Sequence, residues 1–195
     1  MASMYSVYHG PNGLKAIATD IHSKAVTVAN ELKNLGYTVK SDAYFDTIWV
    51  ELPSTVSVAT LKFQTEANEI NLRYVNDSHV TISFGESITT EDLNTLVRVF
   101  AQIAVKTNNA FEKTTATTLT TNHLRNDAIL THPTFNTHHS ESQMMRYLKR
   151  LENKDMSLVH SMIPLGYCTM KLKAASELMP ITNPNFANMH PFCPV

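Results

Sequence analysis

The stretch from Leu14 to Leu35 constrains the fold most. Leu14, Ala18, Ile21, Ala25, Val28, Leu32 and Leu35 recur at intervals of three and four. A helix built from that pattern carries one apolar stripe, and the stripe must be buried against something. Pro11 to Gly13 opens the helix, and Gly36 suits the left-handed position just past its end. Residues 1–9 read as an earlier helix. The Y-H-G-P-N-G segment (Tyr8 to Gly13) is then a helix-start turn. As a phosphate loop it has too few glycines and no preceding strand.

The partner for the stripe follows in the chain. Tyr44 to Leu52, rich in aromatic and β-branched residues and closed by Pro53, predicts a strand. A second helix is predicted over 56–68, with Val58, Leu61 and Ala67 inward. A hairpin follows: Asn71 to Val75, a turn at Asn76-Asp77-Ser78, then His79 to Phe84. Val80, Ile82 and Phe84 alternate with polar residues, as a half-buried strand requires. A third helix is predicted over 89–105. Thr89 and Asp92 can form its capping box, Ile88 and Leu93 its staple, and Leu93, Leu96, Val97, Phe100 and Ile103 its apolar face. The order helix, strand, helix, hairpin, helix predicts an α+β fold with helices on one face of a small, mostly antiparallel sheet. Trp49 is expected to be a core or sheet-packing residue.

Seven threonines between Thr107 and Thr121 follow neither helical nor strand period and read as a linker. Ser140 and Gln143 can open a short helix with Met144, Met145, Leu148 and Leu151 on one side. Lys149, Arg150, Glu152 and Lys154 read as its solvated face. From Asp155 to Val195 the chain is proline-bearing and short of apolar repeats, so it is expected to be an irregular arm that packs on something else.

Composition excludes several function classes. With 43% hydrophobic residues a core can form, while a net charge of −1 without a basic block argues against nucleic acid or an anionic membrane as partner. No apolar run approaches the ~18 residues of a membrane span, and residues 1–10 do not resemble a secretory signal. Cys168 and Cys193 read as reduced thiols. His132, His138 and His139 lack a Cys or carboxylate partner at usual metal spacing, so no metal site is assigned. The five glycines are never adjacent, which leaves out a glycine-rich phosphate cradle.

The later chain is distinctive. L-T-H-P-T-F-N-T-H-H-S-E-S-Q-M-M-R-Y-L-K-R-L-E-N-K-D-M-S-L-V-H-S-M-I-P-L-G (Leu130 to Gly166), Y-C-T-M-K-L-K (Tyr167 to Lys173) and P-I-T-N-P-N-F-A-N-M-H-P-F (Pro180 to Phe192) resemble the glycine decarboxylase P-protein family of the glycine cleavage system. So do M-Y-S-V-Y-H-G-P-N-G-L-K-A-I-A near the start, F-D-T, and Ile70 to Arg73. The resemblance covers the chain except the threonine-rich linker. It implies a fold-type-I pyridoxal-phosphate enzyme of two related halves. Residues 1–106 would be the small C-terminal domain of the first half, 107–130 the seam, and 131–195 the opening arm of the second, catalytic half.

The implied reaction decarboxylates glycine and passes the aminomethyl group to the lipoyl arm of the H-protein. The family's Schiff-base lysine follows a histidine and precedes a glycine-rich loop. This chain has no His-Lys dipeptide, so no residue is given that role, and the cofactor is not expected to bind this chain alone. The loop Cys168, Thr169 and Lys171 keeps the pattern of a family loop near the cofactor pocket, with Tyr167 and Lys173 departing from it. A hydroxyl and an ammonium there could meet phosphate or carboxylate; a loop packing a subunit interface is the other reading. His132 and His139 are implied to lie beside the active site, or else only cap and flank the Ser140 helix.

The resemblance further implies the missing halves, the H-protein and a homodimeric complete enzyme as partners. It implies bacterial cytoplasm, or mitochondria in a eukaryote. Met1 matches an internal family methionine and Val195 ends inside a matching stretch, so an internal piece is expected. A non-catalytic α+β interaction or regulatory module with a flexible tail is the alternative.

Overall fold

A computed structural model describes residues 1–106, 111, 114, 119, 121–154, 176 and 179–190. The first helix, α1, runs Ala2–Asn34 and is broken at Gly10, whose φ of 62° and ψ of −176° leave the helical region. Such a conformation is open to glycine and costly for other residues. The expected earlier helix and the turn at Tyr8 to Gly13 are thus both present.

The described residues form two units. One is His9–Thr131; the other joins Met1–Tyr8 to the residues described from His132 onward. In the first unit the elements after α1 are β1 (Thr38–Val39), β2 (Thr47–Glu51), α2 (Val58–Ala67), β3 (Arg73–Asn76), β4 (His79–Ser83) and α3 (Thr90–Ile103). The sheet order is β1-β2-β4-β3 and every pairing is antiparallel. The fold is α+β with a small antiparallel sheet, as the element order predicts. The two-residue β1 has no signal of its own in the sequence; it exists by pairing Thr38 with Glu51 and Val39 with Val50.

Alternation sets the two faces of the sheet. Ile48, Val50, Val80 and Ile82 are buried in one cluster with Ala25, Val28, Leu32, Leu61, Leu93, Val97 and Phe100 from the helices. Each valine, leucine, isoleucine or phenylalanine among them contributes about 1.5–3 kcal/mol when fully buried. Trp49 faces the other way and is 43% exposed; it belongs to the outer sheet face and not to the core. Its position follows from its neighbours: Ile48 and Val50 point inward, so the residue between them must point out. Ala67 is likewise exposed, while Thr65 takes the inward place on α2. The Thr65 hydroxyl is satisfied there by the Leu61 carbonyl at 2.9 Å and the Tyr74 hydroxyl at 2.6 Å, which makes a polar residue tolerable in the core. The strand expected from Tyr44 shortens to Thr47–Glu51.

All three helices of this unit end in the same way. The N–H of Gly36 donates to the Lys33 carbonyl and that of Tyr37 to the Leu32 carbonyl, each at 2.9 Å. The same pair of bonds closes α2 through Glu69 and Ile70, and α3 through Val105 and Lys106. This is the Schellman arrangement, which needs a left-handed residue. Gly36, Glu69 and Val105 have φ of 91°, 60° and 54°. Only the first carries the glycine signature. At α3's start Thr89 and Asp92 form the complete capping box, and the Thr89 hydroxyl and N–H hold the Asp92 carboxyl below its usual range. A depressed carboxylate contributes stability that is present above its unfolded value and lost as pH falls through the folded one.

Tyr37, at the end of the first of these turns, is buried. Its hydroxyl donates to the Phe100 carbonyl at 2.9 Å, and its ring meets the Phe100 ring edge-on at 5.1 Å between centroids. Burial pushes its phenol up to about 12. A raised value means that this contribution is complete below the unfolded value of ~10 and is lost as pH rises above it.

The threonine-rich stretch is not independent of the domain along its whole length. Phe111 packs against the core, and the Thr114 N–H donates to the Thr27 hydroxyl at 2.9 Å. In the second unit, α4 spans Glu141–Glu152 with Ser140 as its cap, the Gln143 N–H reaching the Ser140 hydroxyl at 3.4 Å. Further on, a 3-10 turn at Met179–Thr182 and a helical turn, α5, at Pro184–Ala187 give the otherwise irregular arm local order.

A β-branched residue in the left-handed region costs about 1–2 kcal/mol. Val105→Gly should therefore raise the urea midpoint of the chain by the equivalent of roughly 1 kcal/mol, and Gly36→Ala should lower it by a similar amount. A Val105→Gly protein that melts earlier contradicts this.

Candidate functional site

The sequence points first to residues 167–173 and to His132 and His139. Cys168, Thr169, Lys171, Tyr167 and Lys173 lie outside the described residues, as does Cys193. His132 caps the 3-10 turn Pro133–Asn136: its Nδ1 accepts from the Thr134 N–H at 3.2 Å. An accepting Nδ1 in a neutral imidazole leaves the proton on Nε2. His139 does the reverse. Its Nδ1 donates to the Tyr8 carbonyl at 2.8 Å, two residues before the helix break at Gly10. His138 stacks on Tyr147 at 4.4 Å and 18°, and Arg150 lies 5.4 Å from the centre of the same ring.

These histidines therefore have separate partners. Among the described residues no three His, Cys, Asp or Glu side chains are grouped so as to hold a metal ion. The charged face of α4 is solvated, with Lys149 and Glu152 paired at 3.0 Å.

In the first unit three features stand out. The first is Lys24, 5% exposed in the middle of α1. Its ammonium donates to the carbonyls of Gly85 and Glu86 at 3.2 and 3.0 Å and meets the Asp20 carboxylate at 2.9 Å. Three donors find three acceptors, so the buried charge is satisfied. The lysine ties α1 to the loop between β4 and α3. Sequence periodicity places it beside the apolar stripe and gives no sign that it is buried; its Asp20 partner four residues earlier is the one available hint.

The second feature is a cleft of about 620 Å³ whose walls include Lys15, Thr19, His22, Phe45, Leu124 and Arg125. His22 is 6% exposed; its Nδ1 donates to the Phe45 carbonyl at 2.8 Å and its ring lies parallel to the Phe45 ring. Arg125 approaches Asp127 at 4.0 Å on the rim. The described walls combine apolar surface with charges of both signs, from Lys15, Arg125 and Asp127, and the Asn126 amide. They offer a recess for an apolar group, and no nucleophile and base are brought together among them.

The third feature is the outer sheet face. Lys40 and Glu51 pair at 2.7 Å, His79 Nε2 lies 3.8 Å from the same carboxylate, and Trp49 meets the His79 ring edge-on at 6.0 Å. The hydrogen bond from Lys40 holds the Glu51 carboxyl below its ordinary range. Because the pair faces water its contribution to stability is small.

Among the described residues no adjacent glycines offer the phosphate cradle of a pyridoxal-type cofactor. Such a group needs an amine anchor and a backbone cradle for its phosphate. Lys24 is committed to three oxygens, Lys106 donates to the Leu35 carbonyl at 2.7 Å, and Lys149 is ion-paired. The starts of α2, α3 and α4 are capped by Ser57, Thr89 and Ser140.

Comparison with known proteins extends beyond these residues. The model of the glycine cleavage system P-protein family matches residues 1–100. Proteins named glycine dehydrogenase (decarboxylating) from Christiangramia forsetii and Flavobacterium johnsoniae are each 47% identical, with all of this chain and 20% of each relative covered. The mitochondrial protein of that name from Pisum sativum is 44% identical, with all of this chain and 18% of the relative covered. The chain thus spans about a fifth of the length of the curated relatives it matches.

The Lys24 clamp can be tested by itself. Lys24→Met removes the buried ammonium that bridges the part-buried Gly85 and Glu86 carbonyls and should cost about 1–3 kcal/mol in urea unfolding. Asp20→Asn, at a partly exposed site, should cost less than about 1 kcal/mol. Equal effects of the two substitutions contradict the assignment of the carbonyls as the main partners.

Proposed function

The chain belongs to the glycine cleavage system P-protein family, and from that premise we propose that it is a segment of a glycine dehydrogenase (decarboxylating). The whole enzyme would use pyridoxal phosphate to decarboxylate glycine and hand the aminomethyl group to the lipoyl arm of the H-protein. The cofactor supplies the electron sink for that chemistry. This segment supplies none of it by itself. The observation that carries the reading is 47% identity along the entire chain to a relative about five times its length.

Within that enzyme, residues 1–106 serve as the small domain closing the first half, 107–130 as the seam, and 131–195 as the arm that opens the catalytic half. A domain with a closed core and an arm with no buried residue among those described from His132 onward suit such a division. Cys168, Thr169 and Lys171, with His132 and His139, would approach the cofactor pocket only when the remaining polypeptide is present. The partners are the rest of the P-protein, a second copy of the complete enzyme and the lipoylated H-protein. Among the described residues no helix is long and apolar enough to cross a membrane. The compartment we favour is the bacterial cytoplasm, since the two relatives at 47% identity are bacterial.

The test uses the chain alone and a chimera in which it replaces the matched fifth of the Christiangramia forsetii protein. With pyridoxal phosphate, glycine and lipoylated H-protein, the chain alone should show no new visible absorbance and release no carbon dioxide. The chimera should exchange the glycine carboxyl with bicarbonate. Turnover by the isolated chain, or cofactor trapped by borohydride on Lys171 of that chain, contradicts the proposal. So does a folded chimera without activity.

A further inference from the structure

Two arginines of α4 stand one turn apart, Arg146 and Arg150. Like charges at that spacing face each other and repel. An acid three or four residues away would relieve them, and neither Glu141 nor Glu152 holds such a position. Glu152 pairs with Lys149 instead. Among the described residues neither guanidinium meets a carboxylate.

Both arginines line a recess of about 320 Å³, together with Thr137, His138, Gln143 and Tyr147. The rings build part of its wall: His138 lies against Tyr147 at 4.4 Å, and the Arg150 guanidinium is 5.4 Å from the centre of the Tyr147 ring. That contact helps to hold Arg150 at the recess. A ring offers no lone pair, so the guanidinium N–H groups still require acceptors. The Gln143 amide adds two further N–H donors and the His138 imidazole at least one. The Thr137 hydroxyl already donates to the Pro133 carbonyl at 2.7 Å. No carboxylate lines the recess.

A recess walled by donors and carrying two positive charges calls for an oxyanion. The planar fork of a guanidinium matches two oxygens of one phosphate or carboxylate. Two forks one turn apart can share a group that has oxygens on more than one side, and two charges favour a dianion. A tetrahedral anion meets both demands and a single carboxylate meets neither. We propose that the recess formed by Arg146, Arg150, Gln143 and His138 is a binding site for a small tetrahedral dianion of the phosphate class. Its residues all lie between Thr137 and Arg150, so it does not rest on the proposed function.

Phenylglyoxal condenses with free guanidinium groups, and mass spectrometry reads each arginine separately. The probe is inorganic phosphate, added to the 195-residue chain at constant ionic strength. A site of about millimolar affinity is nine-tenths filled at about 10 mM phosphate, so Arg146 and Arg150 should react roughly tenfold more slowly there. Arg73, exposed in the other unit, should react at an unchanged rate. Acetate at the same concentration should protect neither arginine. Arg146→Lys keeps the charge and removes the fork, and it should abolish most of the protection at Arg150. Lys149→Gln, which changes a cation outside the recess, should leave the protection intact.

Unchanged rates at Arg146 and Arg150 overturn the proposal, because the two guanidiniums are then merely hydrated. Equal slowing of Arg73 overturns it as general screening. Equal protection by acetate removes the dianion, and full protection of Arg150 in the Arg146→Lys chain removes the paired forks. Loss of protection in Lys149→Gln also overturns it, since a diffuse positive field would then account for the effect.

Discussion

The middle of α1 is the constraint on which the first unit depends. His22 to Ala29 are eight consecutive buried residues, so the helix is enclosed around its full circumference for two turns. One side joins the inner sheet face in the core cluster. The other sides are closed by polar bonds: Lys24 to the Gly85 and Glu86 carbonyls, His22 to the Phe45 carbonyl, and the Thr27 hydroxyl to the Ser23 carbonyl and the Thr114 N–H. Apolar burial gives the unit its stability, and these bonds let polar residues share the enclosure without an unsatisfied group. They also fix where the β4–α3 loop and part of the threonine-rich stretch must lie.

What could be read in the amino-acid order was whatever is local and periodic. The stripe of α1, the alternation in β4, the capping box of Thr89 and Asp92 and the glycine stop at Gly36 are properties of a few neighbouring residues, and each is present as expected. What could not be read depends on tertiary partners. Val105 closes α3 by the same geometry as Gly36, yet valine does not announce a left-handed turn. Trp49 looks like a core residue by its type, and only its register between Ile48 and Val50 turns it outward. Lys24 looks solvated until the loop carbonyls are in place. β1 is too short to have a pattern.

The site residues divide on the same principle. His132 and His139 precede α4, where His132 makes a local hydrogen bond to Thr134 and His139 one to Tyr8, 131 residues away in sequence. On the proposed function, proximity to a cofactor would come only with polypeptide beyond this segment. The family resemblance was legible because it rests on a long run of residue identities, which the whole-chain similarity to proteins five times longer bears out. Periodicity and spacing alone lead only as far as an α+β domain with a tail. The physics of the segment and its ancestry meet at one point: a domain that closes its own core, continued by an arm with no buried residue among those described.

Hydrogen exchange on the intact 195-residue chain tests that claim most directly. The amides of Ala25 to Leu32 and of β4 should exchange only through global unfolding, slowing in step with the stability of the domain, while those of α4 and of residues 179–190 exchange through local opening orders of magnitude faster. Uniform protection of both regions in a monomeric sample would contradict the account.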